Sequence, residues 1–118
     1  MEHLATVTPD PLVSPLVISE VTHGKDDLEI IVITNISASD QNLAGMSLLE
    51  PESMQYLFLP EVVLPPGDTI KVCNGNCGTG DGIEWLKEPA LRESGDQLIL
   101  LNQAGRVIWN YVNFVNYP

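Results

Sequence analysis

Basic residues are scarce in this chain: five Lys and Arg stand against 16 Asp and Glu, giving a formal net charge of −11. The five (Lys25, Lys71, Lys87, Arg92 and Arg106) are scattered and form no patch. Nucleic acid is held first by neutralising its phosphates, so no nucleic-acid partner is expected, and anionic lipid is repelled on the same ground. Histidine is limited to His3 and His23, and cysteine to Cys73 and Cys77. Structural zinc wants four ligands, and here there is no second cysteine pair and no histidine near the first. A serine triad needs a histidine held by a carboxylate, whereas His23 close to Asp26 reads as a charged turn. The chain is therefore expected to be no enzyme and to need no cofactor or metal. No apolar run approaches the roughly 20 residues of a membrane-spanning helix. Met1–Pro11 has neither the basic start nor the apolar stretch of a signal peptide.

Helical periodicity is missing too; what is present is a series of short strand patterns. Residues 1–14 are rich in Thr, Ser and Pro and read as an extended linker. Residues 15–118 form one domain, long enough for a real core without metal or disulfide staples. Pro15–Thr22 reads as the first strand and His23–Asp27 as a polar turn. Leu28–Thr34 is the second strand, with Leu28, Ile30 and Val32 on one face and Ile31 and Ile33 on the other. The loop Asn35–Asn42 is built from side chains that bond their own backbone. Leu43–Leu49 and Gln55–Leu59 are further strands, the latter closed by Pro60. Leu64–Asp68 is a Pro-Pro-Gly turn. Thr69–Cys73 alternates cleanly, with Cys73 on the exposed parity of Thr69 and Lys71. Asn74–Gly82 is a glycine-rich connection and Ile83–Lys87 a strand carrying Trp85. After the turn Ser94–Asp96, Gln97–Asn102 and Val107–Phe114 flank the hairpin loop Gln103–Gly105. About eight to nine such strands make an all-β, antiparallel sandwich.

From Leu16 to Val112 the chain resembles the lamin tail domain, and a prokaryotic member is expected. The resemblance rests on the apolar strand before Asn35-x-Ser37-x-x-Asp40-Gln41, on Leu43 and Gly45 after it, and on the turn at Gly67. Trp85 and Gly95-Asp96 also stand where the family has them. One departure is Met46, where the family usually carries tryptophan after the glycine of the third strand. The resemblance implies an immunoglobulin-like fold. It also implies a non-catalytic interaction or structural module of a larger protein, binding a protein partner or a neighbouring domain of the same chain. A cell-surface or secreted setting is favoured. Two alternatives stand beside it: an accessory domain for carbohydrate or another ligand, and a chromatin- or DNA-binding tail as in nuclear lamins, which the net charge disfavours.

Four places invite a functional reading. Cys73 and Cys77 form a disulfide or stay as free thiols, depending on compartment. The loop Asn74–Gly82 lacks the strand–loop–helix setting of a phosphate cradle and the carboxylates of a calcium loop, so it reads as a connection. Trp85, Trp109 and Tyr111 are a candidate sugar platform, although Val107, Trp109 and Tyr111 share a parity that suits a core. Aligned with the lamin tail pattern, Ile31 and Ile33 face inward while Ile30, Val32 and Thr34 face out. Val32 then takes a position that is basic in lamins, so Ile30, Val32 and Thr34 are a candidate interaction face. Either the N-terminal segment around Leu12 and Val13 covers it, or another domain or a weakly associating second copy does.

Overall fold

The computed structural model describes residues 15–23, 28–78, 80, 82–86 and 95–114. The linker expected over 1–14, the turn residues 24–27 and Lys87 lie outside them. Every regular element among the described residues is a strand. The architecture starts from β2 (Leu28–Asn35), whose residues alternate between half-buried and buried along its whole length. Ile31 and Ile33 are fully buried, the inward facing that alignment with the lamin tail pattern implies.

β2 pairs antiparallel with β1 (Leu16–His23) on one side and with β7 (Thr69–Gly75) on the other, and β8 (Ile83–Glu84) completes that sheet. The second four-stranded sheet runs β10 (Val107–Phe114), β9 (Gly95–Leu101), β4 (Ser47–Glu50), β5 (Gln55–Phe58). A two-residue pair, β3 (Gln41–Asn42) with β6 (Val63–Leu64), bridges the loops. Inward residues of both sheets meet in one core that includes Leu16, Ile31, Leu48, Val72, Leu98 and Leu100. This is an immunoglobulin-like β-sandwich.

Bulges explain where simple alternation stops working. In β1 the register skips Ser19, so Ile18 and Val21 both turn toward the core although they are three residues apart. Ser19 then points outward, where its hydroxyl shares a 2.7 Å hydrogen bond with Thr34 Oγ1. In β10 the register skips Ile108. Val107 therefore does not share a face with Trp109 and Tyr111: it is exposed, while they pack against the core.

Three element boundaries also differ from the sequence pattern. The strand expected over Leu43–Leu49 begins at Ser47, because Ala44 and Gly45 make a turn with Gly45 at φ 83° and Met46 N–H bonded to Leu43 O. Leu43 and Met46 are nonetheless buried, Met46 filling the core beside the turn. The expected loop Asn35–Asn42 ends in β3, a pairing too short to leave a periodic signal. Within 83–86, only Ile83 and Glu84 are strand, and they run parallel to β7. Gly82 permits that approach: at φ 119°, a Cβ there would meet the Lys71 carbonyl oxygen at 2.5 Å.

Candidate functional site

Burial on the outer face of the first sheet is decided by lateral neighbours. Ile30, Val32 and Thr34 point outward but are each half-buried. Thr34 lies between Val17 and Thr69, Val32 between Glu20 and Lys71, and Ile30 between Thr22 and Cys73. Cys73 is on this outer parity, as expected, yet it is fully buried rather than exposed. Parity set its direction correctly; the chain folding back over it sets its burial. Cys77 N–H bonds to Gly75 O, and Cys77 is joined to Cys73 as a disulfide across a Cα–Cα distance of 6.0 Å.

A loop that short removes little chain entropy, so the bond contributes about 2 kcal/mol at most. Thiol counting on denatured, non-reduced protein from an exported source is expected to find no free thiol, and reduction to lower Tm by no more than about 10 °C. Two free thiols per chain would remove the bridge.

The aromatic residues singled out by sequence face the core. Trp85, Trp109 and Tyr111 are partly buried against the core. Trp85 Nε1 donates to the Tyr56 carbonyl at 3.2 Å, bringing the residue after β8 against the edge of the opposite sheet. Burial lifts the Tyr111 phenol above its ordinary pKa of 10.0, and the nearby Glu20 carboxylate adds to the rise.

The conspicuous exposed apolar surface lies on the other sheet. Cross-strand partners share a face, so one outward row runs Phe58, Ser47, Leu101, Val107 and the next runs Tyr56, Leu49, Ile99, Asn110. Val112, opposite Gln97, continues the face along β10. Ser47, Leu49 and Leu101 are buried in its middle, whereas Phe58 is 71% exposed, Val107 58%, Tyr56 47% and Val112 41%. The Tyr56 and Phe58 rings stand 6.5 Å apart and 14° from parallel. Sequence reading found the strand Gln55–Leu59 but not this surface. Its strand pattern carries no mark of being at an edge, and Val107 was assigned inward because the bulge at Ile108 is invisible in the pattern.

A polar cluster at one end of the sandwich was also missed. Glu29, fully buried, accepts from Asn74 Nδ2 at 2.8 Å and lies 3.3 Å from His23 Nδ1. Asn74, also fully buried, accepts in turn from Leu86 N–H, and Leu86 O accepts from Gly75 N–H. A signal existed: Glu29 shares the inward parity of Ile31 and Ile33. His23 is the last residue of β1 and part of this cluster, not a member of a free turn. Among the described residues, no group of three or more His, Cys, Asp or Glu side chains is placed to hold a metal ion.

The class is thus a two-sheet module of immunoglobulin type, with polar side chains spent on tying loops and strand ends together and an apolar sheet face turned outward. The chain belongs to the Lamin Tail Domain family, whose model matches residues 10–116. That match begins inside the segment expected to be linker. Among curated proteins, none matches the chain.

Proposed function

We propose that this domain is a non-catalytic interaction module that binds a protein partner, or a neighbouring domain, through the outer face of the β10-β9-β4-β5 sheet. The observation supporting this reading is the exposure of Phe58, Tyr56, Val107 and Val112 on one face of one sheet. Apolar side chains gathered on one face mark a contact more often than singly scattered ones do. Covering Phe58 alone is worth about 1.5–3 kcal/mol, enough to change affinity tenfold or more. Ile30, Val32 and Thr34 are less exposed and form a second candidate surface, for weak self-association. Val32→Lys would abolish that association in analytical ultracentrifugation without unfolding the domain. Duplex DNA is not the partner in this reading, since a net charge of −11 offers no counterion release on binding.

The test is site-specific photocrosslinking in the protein's native cell, with p-benzoylphenylalanine placed at position 58 or, on the opposite sheet, at position 71. Discrete protein adducts from position 58 that are absent from position 71 are the expected result. No adducts at 58, or the same adducts at both positions, would overturn the reading.

A further inference from the structure

Strand β5 is the last strand of its sheet. Leu59 N–H bonds to the Met46 carbonyl, and Leu57 and Gln55 oppose Leu48 and Glu50 in the same register. In an antiparallel ladder the hydrogen-bonded pairs alternate, so residues 55, 57 and 59 spend their backbone groups on β4. The N–H and C=O of Tyr56 and Phe58 therefore point away from the sheet. Trp85 Nε1 takes the Tyr56 carbonyl, which among the described residues leaves the edge open at Phe58. An open edge next to exposed aromatic side chains is a template on which an extended segment can add.

The charge around that edge has one sign. Glu52 lies in the turn before β5 and Glu61 three residues beyond Phe58; both are exposed. Among the described residues no cationic side chain pairs with either of them. The described Lys and Arg residues lie elsewhere: Lys71 on β7 and Arg106 in the β9–β10 hairpin. A second copy of this chain would bring like carboxylates together at the contact, in a molecule already carrying a net charge of −11. A segment bearing arginine or lysine would meet the carboxylates and could lay its cations on the Tyr56 and Phe58 rings.

We propose that the β5 edge, with Tyr56, Phe58, Glu52 and Glu61, docks an extended basic segment of another protein, added beside Phe58. This rests on the reading of the sheet face as a protein-binding surface and narrows it to one end and one partner chemistry.

A fluorescein-labelled (Arg-Val)4 peptide titrated into the full chain tests it by fluorescence anisotropy, with (Glu-Val)4 as the control. Saturable binding of the basic peptide alone is expected, weakened at least tenfold by Phe58→Ala. The double variant Glu52→Gln/Glu61→Gln is expected to lose several-fold in affinity and to flatten the salt dependence between about 50 and about 300 mM. Thr22→Ala, exposed on β1 of the opposite sheet, should bind as the parent does; thermal melts of all variants establish that they are folded. Absence of saturable binding, binding indifferent to Phe58→Ala and to the double variant, or displacement of the peptide by an oligosaccharide or a second copy of the chain would overturn the proposal. Adducts at position 58 without basic-peptide binding would sink the basic-segment inference alone; losing both would remove the protein-binding reading as well.

Discussion

Replacing Asn35 with alanine is expected to lower unfolding free energy by about 3–5 kcal/mol, among the largest single-residue effects in this domain. Asn35 is fully buried at the end of β2. Its Nδ2 donates to Ser39 O at 2.9 Å and to Leu64 O at 2.8 Å, and its Oδ1 accepts from Ser37 N–H and Ser37 Oγ. The backbone is equally committed, with Asn35 N–H on Asp68 O and Gly67 N–H on Asn35 O. The side chain thus ties together β2, the loop after it and β6, while the backbone of the same residue holds the Pro-Pro-Gly turn. Truncation leaves buried acceptors without donors, and each such group costs about 1–3 kcal/mol. Asn35→Asp is expected to be no milder, because a carboxylate would face two carbonyl oxygens. Urea unfolding followed by tryptophan fluorescence gives the number. A loss under about 1 kcal/mol would show that the loop holds itself without Asn35.

Glu29→Ala is the second large effect, expected at about 3–5 kcal/mol for the removal of one partner from a buried charged group. The variant strands Asn74 Nδ2 and His23 Nδ1 together, both of which Glu29 engages. It also loosens the strand end where Asn74 holds Leu86. Glu29→Gln separates shape from charge. The amide oxygen can still accept from Asn74, so a loss of only about 1–2 kcal/mol is expected. Equal losses for alanine and glutamine would place the whole effect in the charge. A neutral alanine variant would show that the cluster stabilises nothing.

Strand parity carried most of the fold into the sequence, and its limits are specific. Alternation divided β2 into two apolar faces, and the resemblance to the lamin tail pattern told them apart: Ile31 and Ile33 sit inward and Ile30, Val32 and Thr34 outward. Parity gives a direction, however, and not the cover above it, which is why Cys73 looked exposed and is buried under its own disulfide loop. It also fails beyond a bulge: one unpaired residue at Ile108 put Val107 on the wrong side. β3 and β6, two residues each, are shorter than any period that could reveal them. The exposed Tyr56–Phe58 surface depends on which strand ends the sheet, a property of pairing between distant segments. Glu29 was legible by the inward register that it shares with Ile31 and Ile33.

The order of strands also has a kinetic consequence. β4, at residues 47–49, takes β9 as its second neighbour only at residues 99–101, and β2 waits in the same way for β7. Pairings between such distant segments place a domain of this kind among those that fold in roughly milliseconds to seconds. The disulfide joins residues four apart and shortens none of those separations. On the ribosome, where synthesis proceeds at about 5–20 residues per second, the β4–β5 hairpin is complete well before β9 exists. Leu48 and Leu49 then wait several seconds with one strand edge open, so a nascent chain of this domain depends on shielding at β4 until its last quarter has been made.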